Sequence, residues 1–166
     1  RSAVTGRKMH LDKPLTSDFV LAIKHPSAFT AMLGELTKEF SCFAVIRNPL
    51  SVLSSWNSVE FPVTNGHAPA AELIDVDLSK KLASIPDVRG RQISLLSWFY
   101  EQYRKHLSDE RILRYEEIIT TNGRSLGRIC AAADTMVYNS RLESKNNNKL
   151  YDAATVTNLC EMLLES

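Results

Sequence analysis

Arg47 stands directly after the apolar run Cys42-Phe-Ala-Val-Ile46 and just before Asn48-Pro49, a context suited to holding an anion. Its planar guanidinium can make bidentate contacts to phosphate. The carboxyl end of a strand in an open α/β sheet is where such folds bind ligands. Asn48 as N-cap and Pro49 at the first helical position open a helix there, and a helix start offers N–H groups and a positive dipole end. Along that helix Ser51, Ser54, Ser55 and Ser58 fall at i, i+3, i+4 and i+7, a stripe made wholly of hydroxyls. Val52, Trp56 and Val59, joined by Leu53, form a second, apolar stripe that should pack on the sheet. Serine is a mediocre helix former, so propensity does not explain four of them. The stripe is either a solvated or tightly packed face, or a surface that meets a polar ligand. Ser55 lies about two turns in, close enough to share one phosphate with Arg47. The plain alternative has Arg47 capping the sheet edge or pairing with an acid.

Three further side chains have usable chemistry. His25 and Lys24 fall in the turn Lys24-His25-Pro26 at the end of an apolar run, where His25 reads as a turn residue and a strand-end Lys is commonly solvated. Tyr115 closes an apolar run, and a Tyr there is often core with its hydroxyl satisfied. His10, His67 and His106 have no metal-ligand spacing to each other or to a Cys; they carry no assigned role, and no metal site is expected.

These residues need a scaffold. Phe19-Val-Leu-Ala-Ile23, Cys42–Ile46 and Arg111-Ile-Leu-Arg-Tyr115 are short continuous apolar runs, as expected for strands buried on both faces. Between and after them, helical periodicity falls on Phe29, Met32, Leu33, Leu36 and Phe40, on Ile93 to Leu107, on Leu126 to Ala133, and on Val156 to Leu163. The alternation predicts an α/β domain over residues 1–166, with a parallel sheet flanked by helices. Residues 60–88 carry Pro62, Gly66, Pro69 and Pro86 and little sustained periodicity, so a functional or mobile connection is expected there.

Composition narrows the classes. The chain has 166 residues, 44% of them hydrophobic and 23% charged, enough for one globular domain with a sizeable core. Its formal charge of +1 gives no support to broad binding of nucleic acid or anionic membrane. No apolar run approaches the roughly 20 residues that span a bilayer. Three widely spaced cysteines without a CxxC point away from a disulfide framework or structural zinc and toward a reducing compartment such as the cytoplasm.

The segment Ala44-Val-Ile-Arg47-Asn-Pro-Leu-Ser-Val-Leu-Ser-Ser55-Trp resembles the 3′-phosphate-binding segment of sulfotransferases that use 3′-phosphoadenosine 5′-phosphosulfate. That family's pattern is an apolar strand, Arg-Asp/Asn-Pro, and a Ser eight residues after the Arg. Val20-Leu-Ala-Ile-Lys24-His25-Pro26 resembles its strand ending in a Lys-rich turn, and Ile112-Leu-Arg-Tyr115-Glu-Glu-Ile118 its later strand ending in Tyr-Glu-Asp/Glu. Together the likeness covers roughly residues 19–133. It implies a P-loop-NTPase-like architecture and transfer of a sulfonate group from the nucleotide to a hydroxyl or amine of a small-molecule or carbohydrate acceptor. Arg47 and Ser55 would hold the 3′-phosphate, Tyr115 would lie near the adenine, and His25 would be the general base. Cytosolic members have Lys-Thr-His where this chain has Lys-His-Pro. Residues 60–88 and the turn at Lys24–Pro26 would shape the acceptor pocket. The family's 5′-phosphosulfate loop, such as Lys/Arg-Ser-Gly-Thr-Thr after a first strand, is not found; Arg1-Ser2 could be its trailing edge, and the expectation is an N-terminally incomplete domain. The late Gly-rich cofactor motif is also absent, with Lys145-Asn-Asn-Asn-Lys149 a loose stand-in. Two rivals remain: a P-loop nucleotide kinase, although no Gly-x-x-x-x-Gly-Lys-Ser/Thr is present, and a non-catalytic α/β interaction domain.

Overall fold

The computed structural model describes residues 12, 14, 17, 19–135, 141–146 and 150–164. Among them the chain forms α1 (Pro26–Ala31), α2 (Leu33–Glu39), β1 (Ala44–Ile46), α3 (Pro49–Trp56), α4 (Pro69–Glu72), α5 (Val76–Ser84), α6 (Val88–His106), β2 (Ile112–Arg114), α7 (Tyr115–Thr120), α8 (Ala132–Thr135) and α9 (Ala153–Leu164). The result is a mostly helical α/β arrangement around one small sheet. β1 and β2 pair in parallel, with Ala44 opposite Ile112 and Ile46 opposite Arg114. Parallel neighbours need a long crossover, and here α3 to α6 supply it. None of the described helices is long and apolar enough to cross a membrane.

Three expectations need correction. The run 19–23 forms no strand and lies exposed, from Phe19 at 51% to Ile23 at 71%. An apolar run becomes a strand only where a neighbour offers a hydrogen-bonding edge, and the described sheet joins β1 and β2 alone. The helix expected across Phe29 to Phe40 is two helices, broken at Met32. Residues 60–88 are ordered secondary structure rather than an irregular connection: a 3₁₀ turn over Pro62–Asn65, then α4 and α5. These elements are too short for periodicity to register. Asp75 caps α5 by accepting from the Leu78 N–H at 2.9 Å and also accepts from the Trp98 indole at 2.9 Å, which fastens the segment to α6. Leu78 and Leu82, one turn apart, bury fully against Leu95, Trp98 and Phe99. Downstream, α7 begins at Tyr115, and the periodicity of Leu126–Ala133 resolves into a 3₁₀ turn over Arg124–Arg128 followed by α8.

α6 organises the core. Residues 92–96 and Trp98 and Phe99 are buried, so its sides serve different partners. Leu95, Trp98 and Phe99 pack with Ala68, Ala71, Leu78 and Leu82. Ile93 and Leu96 pack with Leu53 of α3 and Leu159 of α9. The strand end is fixed by a third cluster of Leu33, Ala44 and Leu107. β1 thereby delivers Arg47, and α6 sets the angle at which α3 leaves it.

Candidate functional site

Arg47 follows β1 with its backbone held from below. The Tyr100 hydroxyl donates to the Arg47 carbonyl at 2.8 Å. Burial, followed by the neighbouring Tyr103 and Glu116, pushes the Tyr100 phenol up to about 12, which keeps it protonated and able to donate. The Arg47 side chain reaches toward 141–146: Nε donates to Asn146 Oδ1 at 2.6 Å, and Nη2 donates to the Lys145 carbonyl. The guanidinium carbon sits 4.9 Å from the centre of the Tyr115 ring, a cation–π stack. Tyr115 in turn accepts the Lys145 N–H on its hydroxyl at 2.9 Å. The two β-strand ends thus bring Arg47 and Tyr115 together, and residues 145–146 lie across both.

Glu116 closes the arrangement. Its Oε1 accepts from the Asn48 N–H at 3.0 Å and from Asn146 Nδ2 at 2.6 Å. Burial pushes its carboxyl up, but those hydrogen bonds and the Arg47 charge outweigh it and hold the group below the usual carboxylate range.

A recess of about 300 Å³ opens beside Arg47, lined by Ser51, Ser54, Ser55, Ser58, Lys145 and Leu150. The whole serine stripe faces it, with Arg47 and Lys145 as its cations. Ser58 Oγ donates to the Ser55 carbonyl at 2.8 Å. The helix start contributes less than its sequence suggests. Asn48 does cap α3, accepting from Ser51 N–H at 3.2 Å, but this consumes a donor. The Asn48 N–H goes to Glu116, and Pro49 has none to give. The polar groups that face the recess are therefore mainly side chains.

His25 lies elsewhere. Its Nδ1 accepts from the Ala28 N–H at 3.3 Å, capping α1, and its ring leans on Phe29 at 5.9 Å between centroids. It lines neither this recess nor the next. Lys24 is exposed. Arg1-Ser2 and Thr5-Gly6 lie outside the described residues, as do Asn147, Asn148 and Lys149.

A second recess, of about 530 Å³, is lined by Val59, Glu60, Phe61, Pro62, Thr64, Asn65 and His67. Ser58 and Val59 are consecutive, so the two recesses flank the exit from α3. A buried amide network sets that exit. The two N–H groups of Asn57 Nδ2 are shared among the Leu53 carbonyl, Gln92 Oε1 and the Tyr151 hydroxyl, and those of Gln92 Nε2 among Asn57 Oδ1 and the carbonyls of Val63 and Thr64. Gly66 then turns the chain at φ 74°, where a Cβ would lie 2.4 Å from Arg91 Cβ. Sequence reasoning missed Gln92, Asn57 and Glu116, because each acts through partners distant in the chain. Among the described residues no cluster of three or more His, Cys, Asp or Glu could hold a metal.

Compared with protein-family models, curated proteins and solved structures, the chain matches none.

Proposed function

We propose that the Arg47 recess binds the 3′-phosphate of 3′-phosphoadenosine 5′-phosphosulfate and that the protein is a sulfotransferase, passing the sulfonate group to a hydroxyl or amine acceptor. The observation that carries this reading is one recess bounded by Arg47, Lys145 and four serines, with the Tyr115 ring stacked on the guanidinium. A phosphate monoester needs charge and several short donors at once, and this lining offers both. Tyr115 stacks on that guanidinium without lining the recess itself, and on this reading the adenine lies beside its ring. The parallel β1–β2 pair with Arg47 at its carboxyl end fits a P-loop-like architecture, in which the protein contributes positioning and charge stabilisation.

A titration with adenosine 3′,5′-bisphosphate, ATP and GTP tests the reading. Preference for the bisphosphate supports it, and preference for ATP or GTP points to a nucleotide kinase. The second reading is a non-catalytic interaction domain, and exposed Phe19, Val20, Leu21 and Ile23 favour it, because contiguous exposed apolar surface commonly marks a contact site. Binding of none of the three nucleotides would leave that reading in place.

A further inference from the structure

Arg47 stands close to an acid without pairing with it. Among the described residues no carboxylate oxygen lies within ion-pair distance of its guanidinium, although Glu116 is near enough for the Arg47 charge to help hold that carboxyl low. Asn146 bridges the two. Its Oδ1 accepts from Arg47 Nε at 2.6 Å, and its Nδ2 donates to Glu116 Oε1 at 2.6 Å. Only this orientation of the amide satisfies both neighbours, because a guanidinium only donates and an ionised carboxylate only accepts. Glu116 Oε1 also takes the Asn48 N–H at 3.0 Å, which ties the carboxylate to the start of α3.

The donors of Arg47 are thereby divided. Nε and Nη2 bond to Asn146 and to the Lys145 carbonyl, and the Tyr115 ring covers one face. Nη1 has no hydrogen-bond partner among the described residues. The other cation of the recess is less free, since Lys145 Nζ lies 3.6 Å from Glu143 Oε2.

We propose that Asn146 is a positioning residue for anion binding: it spaces Glu116 from Arg47 and keeps the guanidinium charge and its Nη1 edge for the 3′-phosphate. The inference rests on the Arg47 recess being the nucleotide site. Asn146 satisfies both ions and adds no charge of its own. Without its side chain, Nε loses an acceptor and Glu116 loses a donor, and a charge-assisted bond between them is the ready replacement. The phosphate must then compete with an acid for the same guanidinium.

The test titrates adenosine 3′,5′-bisphosphate and adenosine 5′-monophosphate into wild type, Asn146→Ala, Glu116→Gln and the double variant. Asn146→Ala should weaken bisphosphate binding about 3- to 10-fold and leave 5′-monophosphate binding unchanged. In the Glu116→Gln background the same substitution should cost less than about 2-fold, because a neutral amide draws the guanidinium far less. If Asn146 merely held residues 141–146 in place, the cost would be equal in both backgrounds, and that result overturns the proposal. Bisphosphate affinity unchanged or raised in Asn146→Ala also overturns it. Either of these outcomes in a wild type that prefers the bisphosphate overturns this inference alone. A wild type that binds the two nucleotides alike overturns it together with the reading of the Arg47 recess.

Discussion

Replacing Gln92 with Met keeps the length of the side chain and removes every hydrogen bond it makes. Gln92 is 3% exposed, so water cannot readily take the amide's place. Its Nε2 serves Asn57 Oδ1 and the carbonyls of Val63 and Thr64 at 3.0–3.1 Å, and its Oε1 accepts from Asn57. Each partner left unsatisfied in a buried setting costs about 1–3 kcal/mol. Asn57 retains Tyr151 and the Leu53 carbonyl, and the two freed carbonyls are only half-buried. The sum is therefore nearer two unsatisfied groups than four, about 2–6 kcal/mol. For a chain of this size that is roughly 4–24 °C in Tm, at about 2–4 °C per kcal/mol. Chemical denaturation of wild type and Gln92→Met, read by far-ultraviolet circular dichroism, measures it. Hydrogen exchange should also rise selectively at the amides of 62–67, because the lost bonds tie that turn to α6. A loss within 0.5 kcal/mol, or exchange unchanged at 62–67, would refute the claim that this amide positions the second recess.

The other expectations concern the connection and the electrostatics. Leu82→Ala should cost about 2–5 kcal/mol, as for a fully buried leucine, and amides in α5 should be protected from exchange to the degree seen in α6; rapid exchange in α5 would return residues 60–88 to a mobile connection. The Tyr100 phenol is raised to about 12, so its contribution is whole below the unfolded value of about 10 and is lost as pH climbs from there toward 12. Tyr100→Phe should remove that alkaline loss, measured as stability against pH. Glu116 is depressed, so its contribution is present above the ordinary carboxylate value of about 4.3 and is lost as pH falls below it. Glu116→Gln should flatten that acid limb.

The legible part of the fold was the part where a short apolar run found a partner. Cys42–Ile46 and Arg111–Tyr115 each contain a strand, and the two pair in parallel. Phe19–Ile23 has the same composition and stays unpaired, because composition says what an edge would tolerate and not whether an edge exists. α5 escaped notice because two buried leucines among Asp77, Lys80 and Lys81 make too short a pattern. At the site, the spacing of the serines was local, and α3 brings Ser51, Ser54 and Ser55 onto one wall, which Ser58 joins from the turn just past the helix end at Trp56. The bonds that hold Arg47 come from Tyr100, Lys145 and Asn146, and only tertiary folding joins them. His67 and Glu72, in contact at 3.2 Å, are five apart across the start of α4, a separation that no regular period marks.

The central claim is that Arg47 recognises a 3′-phosphate, and a calorimetric cycle tests it most directly. Wild type and Arg47→Ala are each titrated with adenosine 3′,5′-bisphosphate and with adenosine 5′-monophosphate. Wild type should lose about 1.5–3 kcal/mol, roughly 10- to 150-fold, when the 3′-phosphate is removed, the scale of a charged hydrogen bond. Arg47→Ala should bind the two ligands nearly alike. Equal losses in both proteins would contradict the account, because the guanidinium would then make no contact with that phosphate.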